Sequence, residues 1–80
     1  MNDWRLTNQA KYLINKLLLM KNYKDRTSSA DHDHCEFCLD RFSEDKQDIN
    51  LGYCTEDCYH WICPNCYNDF KDLFQWKIKL

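Results

Sequence analysis

Two Cys-x2-Cys pairs in a chain of eighty residues, Cys35/Cys38 and Cys63/Cys66, constrain this sequence more than any other feature in it. A chain this short buries a limited share of its surface, and domains of its size commonly depend on a metal, on disulfides or on association. Two residues between cysteines let one tight turn offer both sulfurs to one ion. Two such turns complete a tetrahedron of soft donors, the shell that Zn2+ takes at about 2.3 Å per sulfur. With all four positions filled by protein, no site is left for water, so the ion is structural and its binding is coupled to folding. The expected ligands of one Zn2+ are therefore Cys35, Cys38, Cys63 and Cys66. Ligand type alone leaves iron as the competing ion.

The compartment supports metal over disulfide. The most apolar stretch near the start, Tyr12 to Met20, is interrupted by Asn15 and Lys16, and no small-residue cleavage site follows it. No stretch reaches the apolar length that crosses a bilayer. A cytoplasmic, reducing setting is the default, and there paired cysteines indicate metal. One glycine, one proline and twelve aromatic residues exclude a linker or a disordered chain. A single domain over residues 1–80 is expected, with a helix and connection over 1–30 and a zinc-binding module over 31–80.

Periodicity predicts a helix over residues 7–24. Thr7 suits the N-cap, and Leu6, Ala10, Leu13, Leu17 and Met20 form an apolar stripe widened by Ile14 and Leu18. Such a stripe ordinarily packs on its own domain. A polar connection follows over 26–30, then the compact run His34-Cys35-Glu36-Phe37-Cys38 and a polar loop over 43–50. Residues 51–55 and 58–62 read as two short aromatic-rich strands of a hairpin. Cys63-Pro64-Asn65-Cys66 leads into a helix to residue 75, with apolar spacing at Tyr67, Phe70 and Phe74 and with Pro64 suited to its first turn. The alternating tail 76–80 suits a short strand.

Charge is segregated. Residues 1–30 carry six basic and two acidic side chains, whereas residues 31–69 carry ten acids against Arg41 and Lys46. The cysteine-rich part is thus a poor surface for a phosphate backbone. Arg5, Lys11, Lys16, Lys21, Lys24 and Arg26, with Trp4, Tyr12 and Tyr23, leave nucleic-acid binding through the basic helix as the rival function.

Cys54 and Cys58 flank the hairpin turn and are expected as free, locally packed thiols. The alternatives are a disulfide on oxidation or a second metal with His60 or His34. In the run Asp31-His32-Asp33-His34, Asp33 and His34 are expected to support the first cysteine turn through hydrogen bonds rather than to do acid–base chemistry. His60 is expected as a packing or supporting residue. A dithiol oxidoreductase is disfavoured because Ile62 separates Trp61 from Cys63 and the segment is acidic.

A Cys-x2-Cys turn, then a hairpin, then a Cys-x2-Cys opening a helix resembles the treble-clef zinc finger over about residues 33–75. A zinc ribbon is the nearest competitor. The fold class implied is a small α+β zinc-stabilised domain: an N-terminal helix plus a treble-clef-like knuckle, β-hairpin and helix. Nucleases of the HNH type use the treble clef, but their resemblance fails at the chemistry. Their Asp-His lies after the first pair, whereas Asp33-His34 precedes it, and residues 64–75 hold no histidine. A degenerate HNH-like nuclease is accordingly the least favoured alternative.

Trp4-Arg5-Leu6-Thr7-Asn8-Gln9, the run from Asp31 to Cys38, Trp61-Ile62-Cys63 and Asp69-Phe70-Lys71 are similar to a set of short bacterial proteins. That resemblance implies no transferable activity. The expected function is a non-catalytic protein-binding module, of the inhibitor or immunity type, taking a basic protein partner. Tyr53, Tyr59 and Trp61 are the candidate interface, with the core as their competing use.

Overall fold

A computed structural model describes residues 3–27 and 29–79, and it departs from the expected architecture first in the N-terminal third. In place of a helix over 7–24, helix α1 covers only Ala10–Leu13 and strand β1 covers Leu17–Asn22. Gln9 rather than Thr7 stands at the N-cap, and no side chain caps the helix. The break falls at Asn15, whose φ of 60° lies in the left-handed region that asparagine tolerates better than most residues. Its N–H donates to the Phe74 carbonyl at 2.8 Å, so the second helix holds the break in place. The expected apolar stripe is divided accordingly. Leu13 and Leu18 are fully buried, whereas Ile14 and Met20 are exposed. Leucine and methionine favour helix in isolation; here pairing with another strand overrides that preference. Ala10's side chain and Leu80, both within expected elements, lie outside the described residues.

The cysteine-rich part follows the expected order. Strands β2 (Asp33–His34) and β3 (Arg41–Phe42) form a small antiparallel ribbon. Strand β4 (Leu51–Thr55) and β5 (Trp61–Ile62) form the hairpin, with Tyr53 opposite Ile62 and Cys54 opposite Trp61. Helix α2 spans Pro64–Phe74 and β6 spans Lys77–Ile78. The main sheet runs β5-β4-β1-β6. Within it β1 is antiparallel to β4, from Leu18 opposite Thr55 to Asn22 opposite Leu51, and parallel to β6. The N-terminal segment is therefore a central strand, not an appended helix.

Opposed residues of an antiparallel pair share a face, so the register assigns both sides of the sheet. Leu18, Tyr53 and Ile62 face α2, where Tyr53 stacks on Tyr67 with centroids 3.8 Å apart. Cys54, Trp61 and Gly52 face the ribbon, and Phe42 lies 5.3 Å from the Trp61 ring. The only glycine of the chain sits under the Phe42 ring. A Cβ at Gly52 would stand 2.5 Å from Phe42 and 2.8 Å from the Ile62 carbonyl. Closely packed interiors leave no room for such a shift. Helix α2 buries Cys66, Phe70 and Phe74 at four-residue spacing, and ends at Gln75 in the left-handed conformation. Trp76 then donates its indole N–H to the Leu13 carbonyl at 2.8 Å. No helix among the described residues is long and apolar enough to cross a membrane.

Candidate metal centre

Both cysteine turns are built by their own backbone. In the first, the Cys35 N–H donates to the Asp40 carbonyl at 2.8 Å, and the Leu39 N–H donates to the Cys35 carbonyl at 3.1 Å. Leu39 takes a φ of 69° to close the turn, an uncommon conformation for a residue with a branched side chain. In the second, Cys63 is the N-cap of α2 and its sulfur accepts the Cys66 N–H at 3.5 Å. Pro64 opens the helix at the place where a missing N–H costs nothing. An isolated bridge between Cys35 and Trp61 aligns the two turns.

The result is a tetrad. The sulfurs of Cys35, Cys38, Cys63 and Cys66 all lie within 4.8 Å of one another, and those of Cys38 and Cys63 are 3.6 Å apart. A tetrahedral tetrathiolate with metal–sulfur bonds of about 2.3 Å has edges of about 3.8 Å. The group therefore has the dimensions and donor chemistry to hold a thiophilic metal ion. Cys35, Cys63 and Cys66 are buried and Cys38 is partly exposed. Backbone N–H groups of Phe37 and Cys63 each reach the Cys35 sulfur at 3.4 Å. Donors of this kind favour thiolate over thiol.

The four sulfurs do not share charge equally. A hydrogen bond from the Cys63 thiol, helped by those backbone donors, outweighs burial and lowers Cys35 to about 5. Cys63 is pushed up because it shares its proton with Cys35 and is buried. Burial pushes Cys38 up to about 12 and Cys66 in the same direction. Ligation of a metal displaces these protons, which makes binding stronger as pH rises.

The expected supporting residues contact backbone and neighbouring side chains. His34 Nδ1 donates to the Leu39 carbonyl at 3.1 Å, bracing the first turn. Asp33 accepts the Tyr23 hydroxyl at 2.6 Å and so ties the turn to β1's end instead of touching a thiol. His60 Nδ1 donates to Glu36 Oε2 at 2.9 Å, and Tyr12 donates to Glu36 Oε1 at 3.0 Å. Cys54 and Cys58 are buried outside the tetrad, their sulfurs 3.9 Å apart. Among the described residues no other group of three or more His, Cys, Asp or Glu side chains brings its ligand atoms together. Of the three candidate interface aromatics, Trp61 has no exposed surface and belongs to the core. Tyr53 is partly covered by Tyr67, while Tyr59 is 71% exposed.

Two residues that sequence reasoning did not assign to the centre close one side of it. Arg5 places Nη1 3.5 Å from the Cys66 sulfur and 2.9 Å from Asp69, and holds Asp3 at 2.7 Å through Nη2. Its guanidinium also lies over the Phe70 ring at 4.5 Å. This cation offsets the negative charge that four thiolates bring to the site, and its hydrogen bonds hold the Asp3 carboxyl down at about 2. Gln9, almost fully buried, donates from Nε2 to the carbonyls of Arg5 and Glu36, each at 2.8 Å, and accepts the Thr7 N–H at 2.7 Å. The amide thereby fixes the N-terminal segment to the first turn. Beside Cys38, Cys63 and Cys66 lies an open cleft of about 430 Å³, with Trp4 and Arg5 on its rim. Comparison with protein-family models, curated proteins and solved structures found no match to this chain.

Proposed function

We propose that the chain is a zinc-stabilised protein-binding module without catalytic activity, built on a treble-clef-like core. The observation that carries this reading is the tetrad itself: four sulfurs within 4.8 Å, most of them buried, at the junction of two tight turns. Four protein donors leave no coordination position for a substrate or an activated water, the mark of a structural zinc ion. Element order agrees, with a cysteine turn, the β4–β5 hairpin and a cysteine turn capping α2. The ligand chemistry suits a reducing cytoplasm.

Protein binding is supported by what the fold leaves outside. Tyr59 stands clear of the hairpin, and Leu6, Ile14 and Leu73 line an apolar cleft of about 250 Å³ between α1 and α2. The excess of acids over 31–69 suits a basic partner, as an inhibitor or immunity-type protein would meet on a nuclease. Nucleic-acid binding through a basic helix loses its element, since α1 has four residues and Lys16, Lys21 and Lys24 lie beyond it. Arg5 and Arg26 are engaged with Asp69 and Glu44 at 2.9 and 2.8 Å.

Elemental analysis of chain purified under reducing conditions should give about one zinc per molecule. Immobilised chain exposed to extract of its host should retain one dominant basic protein, and Tyr59→Ala should reduce that retention. Iron in place of zinc overturns the metal assignment. RNA or DNA retained at moderate salt overturns the partner class.

A further inference from the structure

The metal centre uses four of the six cysteines; Cys54 and Cys58 are left, both buried and with sulfurs 3.9 Å apart. We propose that this pair is a reactive dithiol that hydroperoxides convert to an intramolecular disulfide, a modification site separate from the metal centre.

Three features of its setting point that way. Cys58 closes the turn that begins at Thr55, its N–H donating to the Thr55 carbonyl at 2.8 Å, with φ at 59°. A hairpin turn of this kind favours glycine at its left-handed position, where a residue with a Cβ is strained. The sequence places a thiol where the backbone asks for glycine. Second, the sulfurs are within reach. A disulfide needs about 2.05 Å between them, so a closure of under about 2 Å suffices. Third, an exposed residue lies directly against the buried Cys58. The Cys58 sulfur is hydrogen-bonded by the backbone and side chain of Thr27, an exposed residue.

The electrostatics divide the labour. Burial pushes the Cys54 thiol up to about 12. Cys58 is lowered although burial opposes it, since hydrogen bonds from Thr27 and Cys54 and the Lys21 charge outweigh burial. The Cys54 thiol also donates to the Cys58 sulfur, so Cys58 is the attacking sulfur and Cys54 the resolving thiol. In the first step the Cys58 sulfur attacks one peroxide oxygen: an S–O bond forms, the O–O bond breaks, and the leaving oxygen takes up a proton as water or an alcohol. In the second, Cys54 sulfur attacks the sulfenic sulfur: the S–S bond forms, the S–O bond breaks, and a second water departs with the thiol proton. Two sulfurs are oxidised together by two electrons, and one peroxide bond is reduced.

The test treats the chain, purified with the metal it retains, with graded hydrogen peroxide, then blocks free thiols with N-ethylmaleimide and maps the peptides. Cys54–Cys58 linkage should appear at about one equivalent of peroxide, before any modification of Cys35, Cys38, Cys63 or Cys66 and before metal release to a chromophoric chelator. In Cys58→Gly, which suits the turn, Cys54 should stay alkylatable at a peroxide dose at least about tenfold higher, with metal still bound. Oxidation of the four tetrad cysteines first, or linkage of Cys54 or Cys58 to one of them, overturns the proposal. Should Cys58→Gly fail to fold, the order of modification in the unaltered chain decides alone.

Discussion

Residues 33–76 and residues 3–27 reach the same interior by different means. The cysteine-rich part is organised by short-range devices: two turns that each contain their own ligands, a hairpin closed over a few residues, and a helix started by Cys63 and Pro64. The N-terminal part has almost no such devices. Its helix is four residues long and uncapped, and its place is fixed by contacts across the molecule: β1 against β4, Asn15 against Phe74, Arg5 against Cys66, Gln9 against Glu36. A local frame of cysteine turns thus supports a segment whose conformation is set almost wholly from outside itself.

The strongest test of that contrast removes the frame. Replacing Cys35 and Cys63 together by Ser should abolish metal binding and unfold both regions. Structural zinc contributes about 10–16 kcal/mol in small zinc peptides, comparable to or above the whole net stability of about 5–15 kcal/mol of a typical domain. Loss of dispersed amide resonances checks it; survival of β1 would show that the N-terminal part stands without the metal.

Gly52→Ala strikes the sheet that the two regions share. Its methyl meets the Phe42 ring and the rigid Ile62 carbonyl, so a loss of about 2–3 kcal/mol is expected in urea unfolding. Metal content should remain near one per chain. Partial recovery in the double variant with Phe42→Leu would identify the ring as the obstacle.

Gln9→Leu separates the two regions more gently. It leaves the Thr7 N–H and the Arg5 and Glu36 carbonyls short of a partner, at a cost of about 1–3 kcal/mol. Hydrogen exchange should quicken over the residues before α1 while α2 stays protected. Equal quickening in α2 would mean that the segment is part of the metal centre's own stability.

Leu39→Gly should have the smallest effect, and of opposite sign. Glycine accepts the left-handed turn after Cys38 without strain, which outweighs its greater freedom in the unfolded chain by about 0.5–1 kcal/mol. A rise in Tm with unchanged metal content is expected; a fall would show that the exposed Leu39 side chain makes a contact worth more than the strain.

The same contrast explains what was legible in the sequence. Cysteine spacing, Pro64 and the 66/70/74 rhythm are local signals, and local physics acts on them directly, so the tetrad's members, the hairpin and α2 were readable. In residues 7–24 the helical rhythm was real in the letters, but Leu18 found a better partner in Thr55's strand than in its own neighbours. Arg5 and Cys66 are separated by 61 positions, and no periodicity links them. Nor did Trp61 announce its full burial, since an aromatic residue on a short strand reads equally as core or as contact surface.

The sheet order also sets a sequence of events in time. The two cysteine turns close a loop of modest size, which a metal ion can bridge early. Strand β1 meets β4 across some thirty positions, a span like that between the cysteine turns, but meets β6 across about sixty, the longest closure in the sheet. Refolding should therefore show two clocks: metal capture first, then pairing of β6 along β1.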